Sequence, residues 1–241
     1  IAADPARVTA DVRALTDDLF EGRAPGTRGE DRTLGWLVAR FQALGLEPAG
    51  PDGRWLQKVP LVHTRLGTPR AMRFDAPAGP LPAEQGRDVY VSTIRPVDAQ
   101  IADAPLVFVG YGVTAPERGW DDFKGVDLKG KVAVFLVNDP DFAAAPGDPV
   151  AGRFGGRTMT YYGRWTYKYE EGARQGAAGV LIVHETAPAS YGWQTVANSW
   201  GVPQFDILRQ NAAGERVPME GWIQRDLAVG LFKASGLDFD A

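Results

Sequence analysis

The chain has 241 residues, enough to bury a sizeable core as one large domain or two small ones. Its 26 Lys and Arg against 30 Asp and Glu leave a net charge of −4, too balanced to suggest a nucleic-acid or anionic-membrane partner. The absence of Cys excludes disulfides, thiolate zinc sites and Cys nucleophiles, and no run approaches the roughly 18 uninterrupted apolar residues of a membrane span.

The first 46 residues read as two helices. Asp4-Pro5 supplies an N-cap and a proline at the first helical position, and Val8, Val12 and Leu15 follow on one face. A loop, "EGRAPGTRGE" (21–30), leads to a second helix, in which Thr27 and Glu30 have capping-box spacing. Leu34, Leu37, Val38, Phe41 and Leu44 form its apolar stripe, and Gly45 ends it.

From Trp55 the period changes to two, predicting strands over 55–64 and 69–76 joined around Gly67. The densest Pro/Gly stretch, 76–86, marks a domain boundary. Short strands follow near 88–92 and 105–113, then a tight turn and a buried strand within 125–138. Residues 139–156 form a long irregular loop, a kind of segment that is often functional. A helix over 161–175, strands over 179–184 and 202–208, and a closing helix over 221–236 with Ile223, Leu227, Leu231 and Phe232 on one side complete the chain. With 29 Gly and 18 Pro, the expected class is α+β with short strands outnumbering helices after residue 55. Ile1 in place of Met suggests a removed targeting segment or a start inside a longer reading frame, and the closing "LDFDA" reads as a cut.

The chemistry-bearing residues are sparse. The two histidines, His63 and His184, start no His-x-Asp or HExxH pair, so His184-Glu185 reads as a polar strand end. Glu170 and Glu171 are adjacent on a helix and point about 100° apart, which suits a solvated face better than one ion. No serine lies in a G-x-S-x-G elbow. Gly110-x-Gly112-x-x-Ala115 matches a relaxed dinucleotide fingerprint, but Pro116 follows where a helix would have to start. The most unusual stretch is 152–171, where Arg153, Arg157 and Arg164 alternate with Phe154, Tyr161, Tyr162, Trp165, Tyr167 and Tyr169. Such interleaving can stack nucleic-acid bases. In an acidic chain it fits a surface that docks another domain or walls a substrate cleft, or else a loop tucked onto its own domain.

Residues 18–62, with "GRAPGT", "LGLEPAG" and "VPLV", resemble the N-terminal segment of co-catalytic zinc aminopeptidases, the group of aminopeptidase Y and glutamate carboxypeptidase-like enzymes. "PLVFVGYGVTAPERGWDDFKGVDLKGKVAVFL" followed by "EEGARQGAAGVLIVHE" resembles the protease-associated (PA) domain inserted in many of them. The resemblance implies a PA-type β-sandwich or open barrel with flanking helices. It implies residues 1–78 as peptidase-domain helices and strands, 79–219 as the PA domain, and 220–241 as a helix re-entering the peptidase domain. In such enzymes two zinc ions sit on His-x-Asp, Glu-Glu, a later Asp or Glu, and a final His. This set does not occur here, since neither His starts a His-x-Asp and Glu170-Glu171 lies within the PA-like stretch, so no catalytic or metal residue and no cofactor is assigned to this chain; the two zinc ions belong to the parent protein.

The resemblance further implies a secreted or periplasmic protein whose partners are a downstream peptidase domain and a peptide substrate. Arg157, Tyr161, Tyr162, Arg164 and Trp165 are the residues expected to face the cleft. Apolar helix faces at 8–15, 34–44 and 223–232 suggest a homodimer contact. The alternative is a free-standing PA-like module binding a peptide or partner protein.

Overall fold

The structure, a computed structural model, describes residues 3–67, 72–95, 101 and 103–240. The chain divides into two compact units, Ile1–Pro60 and Leu61–Ala241.

In the first unit, α1 (Pro5–Leu15) is capped by Asp4, whose carboxylate accepts from the Ala6 N–H at 2.9 Å. The helix α2 (Arg28–Ala43) begins at Thr27, whose hydroxyl accepts from the Glu30 N–H at 3.4 Å. The return bond of the expected capping box lands one residue early: Glu30 accepts from the Gly26 N–H at 2.6 Å. Gly45 takes φ 75° and α2 closes with Leu46 N–H bonded to Phe41 C=O at 3.1 Å, as the Gly stop signal required. Gly29 lets α2 lie on the 3₁₀ turn Asp18–Arg23, because a Cβ there would fall 2.2 Å from the Phe20 carbonyl oxygen. Val8, Val12, Phe41 and Leu44 remain exposed.

The second unit is built on a five-stranded sheet of β4 (Val89–Ser92), β5 (Leu106–Phe108), β8 (Val132–Leu136), β9 (Gly179–His184) and β11 (Met219–Gln224), in the order β4-β11-β9-β8-β5. The strands β5, β8, β9 and β11 run parallel, and β4 is antiparallel at one edge. "VAVFL" and "GVLIVH" are near-continuous apolar runs, as strands buried on both faces require. Ala133, Phe135, Val180, Ile182 and Trp222 pack to one side with Tyr169 of α3 (Trp165–Arg174) and Val196 of α5 (Trp193–Trp200). Val132, Val134, Leu181, Val183 and Ile223 pack to the other with Leu231 of α7 (Arg225–Ala234) and Leu81 of a hairpin, β2 (Met72–Ala76) and β3 (Gly79–Ala83).

The mixture of helices and strands matches the α+β expectation. The core, however, is one mostly parallel sheet covered on both faces, where the resemblance implied a sandwich or open barrel. The Pro/Gly-rich stretch 76–86 turns the β2–β3 hairpin and supplies Leu81 and Ala83 to the core.

Several local expectations are corrected. The strands 55–64 and 69–76 do not form a pair: β1 (Leu61–Thr64) pairs with β10 (Gln204–Ile207), and residues 69–71 lie outside the described residues. Residues 221–224, read as the start of the closing helix, belong instead to the strand β11, between β4 and β9, where Ile223 and Trp222 point into opposite faces of the sheet. The apolar face over 223–232 is packed within the unit, with Ile223, Ala228 and Leu231 buried. The connections β6 (Thr114–Ala115) with β7 (Trp120–Asp121), α4 (Thr186–Ala189) and α6 (Ala212–Glu215) complete the unit.

The step from α3 into β9 depends on Gly172. A Cβ at this helical position would lie 2.3 Å from Val180 Cγ2, a branched side chain held in the core. Gly172→Ala is expected to destabilise the chain by about 1–3 kcal/mol, overpacking outweighing the gain in helix propensity; a urea denaturation midpoint no lower than wild type would contradict it.

Candidate functional site

A parallel sheet gathers the ends of its strands, and the loops leaving them, along one edge. Here that edge carries Gly110-Tyr111-Gly112 after β5, Asn138-Asp139-Pro140-Asp141 after β8, His184-Glu185 at the end of β9, and Gln224-Arg225 at the end of β11. Gly110 and Gly112 take φ 63° and 62°, and a Cβ on Gly112 would meet the Phe135 ring at 2.5 Å. The left-handed φ at both positions, with close packing at Gly112, therefore accounts for these glycines, and β6 follows them where a dinucleotide fold would start a helix.

Lys168, on α3, is wholly buried beneath this edge. Its ammonium donates to the Tyr111 carbonyl at 2.6 Å and the Asn138 carbonyl at 3.0 Å, tying α3 to the loops after β5 and β8. Burial pushes the Lys168 pKa down to about 7, against the opposing pull of Asp139 and Asp122. Tyr111 is pushed up to about 12, chiefly by burial and then by Glu185, Asp122, Asp141 and Asp139.

The loop that follows is pinned by its aspartates. Asp141 Oδ2 accepts from the N–H groups of Phe154, Gly155 and Gly156 at 2.9, 3.1 and 2.9 Å. Burial alone would raise its pKa, but these backbone donors outweigh burial and hold the carboxyl below its ordinary value. Asp139 accepts from the Thr160 N–H at 2.6 Å and the Thr160 hydroxyl at 2.8 Å. The segment expected to be irregular is irregular, but it is fixed at both ends.

The five cleft candidates make separate sets of contacts around this framework. Tyr161 and Tyr162 cluster with Tyr167, ring centroids 5.1–5.3 Å from it; Tyr162 donates to Glu117 at 2.7 Å, and the exposed Tyr161 donates to Glu170. Trp165, 39% exposed, packs edge-on against Tyr169 and Trp200. Arg157 lies 5.3 Å over the Phe142 ring, and Arg164, just before α3, is exposed.

The two expectations of polar surface need correction. Glu171 is buried and accepts from Thr114, Arg174 and Gln175 at 3.1, 2.7 and 2.8 Å, so Glu170 alone lies near solvent. His184 is 4% exposed, its ring 5.6–5.9 Å from those of Tyr191, Trp193 and Trp222. Burial lowers its pKa, and its Nε2 has no hydrogen-bond partner among the described residues. His63 stacks on Phe205 across the β1–β10 pair at 4.6 Å. Among the described residues no three His, Asp or Glu side chains are grouped to hold a metal ion, and no helix is long and apolar enough to cross a membrane.

A cavity of about 340 Å³ opens at the ends of β9 and β11, with His184, Glu185, Thr186, Trp193, Arg225 and Asp226 in its wall. Arg225 Nε donates to Glu185 at 3.1 Å and its Nη2 to Asp240.

Lys168, Asp139 and Asp141 escaped the sequence reading. The signal was present: Lys168 stands between two tyrosines that turn inward on α3, and the aspartates follow directly on an apolar strand, where turn-forming carboxylates belong.

No protein-family model matches the chain, and no curated protein matches it. Among solved structures it is similar to the aminopeptidase from Aneurinibacillus sp. strain AM-1, at 16% identity and a TM-score of 0.36, over 95% of this chain and 41% of that one. Chains this far apart need not share a fold, and this chain spans less than half of that aminopeptidase.

The buried ammonium has a pH signature. The folded state holds the Lys168 proton more weakly than the unfolded chain, whose lysine keeps the ordinary value of 10.5. Its burial penalty is therefore full below pH 7 and is relieved as pH rises from 7 toward 10.5. Between pH 7 and about 9.5, below the range of the raised tyrosines, wild type should gain on the order of 1–3 kcal/mol relative to Lys168→Met. Parallel pH profiles of unfolding free energy for the two proteins would contradict it.

Proposed function

We propose that this chain is the non-catalytic front of a zinc-dependent exopeptidase of the aminopeptidase type, with a PA domain in its second unit that covers the peptidase cleft and restricts it to small peptides. The observation that carries the reading is the order of motifs along one chain: "GRAPGT", "LGLEPAG", "VPLV", "GKVAVFL" and "EEGARQGAAGVLIV". The last of these supports it in detail. The Gly/Ala-rich turn that joins α3 to β9 is closed by Ala177 N–H to Gly172 C=O at 2.9 Å, and Gly172 brings the helix against Val180.

In this reading the two zinc ions and their ligands belong to the polypeptide downstream, and the protein is exported. What this chain contributes is a wall. Arg157, Tyr161, Tyr162, Arg164 and Trp165 face the cleft, where aromatic faces and guanidinium groups take up the side chains and carboxylate of a peptide. Asp139 and Asp141 fix the loop in advance, so little ordering entropy is lost when a substrate arrives.

Two measurements test the proposal. The purified chain with added zinc should not hydrolyse aminoacyl-p-nitroanilides, whereas the longer gene product should; turnover by the chain alone would overturn the non-catalytic assignment. In the longer product, Arg164→Ala with Trp165→Ala should raise KM about tenfold with kcat little changed, the mark of lost substrate binding. An unchanged KM would remove these two residues from the cleft.

A further inference from the structure

The cavity at the ends of β9 and β11 belongs to none of the features above. Its volume, about 340 Å³, lies at the small end of the roughly 300–1,000 Å³ typical of ligand pockets. Several polar groups in its wall are unspent. Glu185 Oε1 takes the Arg225 Nε–H, and its Oε2 has no partner among the described residues. Arg225 commits Nε and Nη2 to Glu185 and Asp240, and Nη1 has no acceptor among the described residues. Asp226 stands in the first turn of α7, and the Gln224 side chain ahead of it leaves the first amides of that helix uncapped. His184 forms part of the same wall, and although it is 4% exposed its Nε2 is unpartnered.

We propose that this cavity binds a small zwitterion, a free α-amino acid with an apolar side chain. Glu185 and Asp226 in the wall, with Asp240 bonded to Arg225 behind them, set three carboxylates against one guanidinium, an acidic excess that takes an ammonium group. Arg225 Nη1 and the uncapped start of α7 take the carboxylate, since a helix N-terminus favours an anion. The Trp193 indole, with Ala187 and Pro188, provides the apolar wall for the side chain. A simple anion would meet Asp226 and the second oxygen of Glu185, and a simple cation would meet the guanidinium; opposite charges on one small molecule satisfy both. The inference does not lean on the peptidase reading.

Isothermal titration calorimetry on the chain with L-leucine, N-acetyl-L-leucine and L-leucinamide tests it. Leucine should saturate, and both blocked analogues should bind at least about tenfold more weakly, each having lost one charge-assisted contact. Glu185→Gln should weaken leucine binding by a similar factor, and Asp226→Asn, at an exposed position that does not threaten the fold, provides a second variant. No saturation by millimolar leucine, equal binding of either blocked analogue, or wild-type affinity in a folded Glu185→Gln or Asp226→Asn protein would each overturn the proposal. Because the readout is binding, a negative result leaves the hydrolysis and KM tests of the peptidase reading untouched.

Discussion

The second unit is organised around one buried charge. An ammonium without partners in a protein interior would cost several kcal/mol, and Lys168 is retained because two carbonyls and two nearby aspartates meet it there. Those carbonyls belong to Tyr111 and Asn138, in the loops leaving β5 and β8. One side chain from α3 thus fixes two strand ends at once. Asn138 holds a left-handed φ of 77° and donates to the Pro188 carbonyl at 2.7 Å, extending the same tie to the segment that follows β9.

That tie explains how a long connection without regular structure can present a defined surface. Residues 139–160 have little core of their own apart from Phe154, which packs against Trp120 and Tyr162. The loop is shaped instead by backbone N–H groups converging on Asp141 and by Thr160 closing on Asp139. Gly155 and Gly156, at φ 119° and 62°, turn their amides toward the carboxylate in a conformation a side chain would resist. The aromatic residues beyond the loop then divide by burial: Tyr167 and Tyr169 face the core, while Tyr161, Arg164 and Trp165 stay at the surface.

Legibility in the sequence followed the periodicity of each segment. The caps at Asp4 and Thr27, the Gly45 stop and the β9 limits were readable because each depends on a few adjacent residues. The pairing of β1 with β10 was not, since nothing local in "LVHT" points to a partner more than a hundred residues away. The strand β11 was misread because "GWIQRDLAVGLF" is apolar at helical spacing across the strand–helix junction, and a short buried strand shows no alternation of its own. The basic-aromatic surface was visible in composition. Its support, Lys168 with Asp139 and Asp141, was hidden because charged residues are read as solvated until a structure shows them enclosed.

His184-Glu185 shows how a tempting pair resolves physically. Successive residues leaving a strand point to opposite sides, so Val180, Ile182 and His184 share the face of Trp222, and Glu185 departs toward Arg225. The two side chains meet different neighbours: three aromatic rings around the imidazole, a guanidinium beside the carboxylate. An ion held by both would have to draw the imidazole out of its aromatic enclosure and break the pair with Arg225. The same divergence places a buried ring and a carboxylate oxygen without a partner among the described residues in one cavity wall, which suits a small molecule with an apolar body and a charged end better than any single ion.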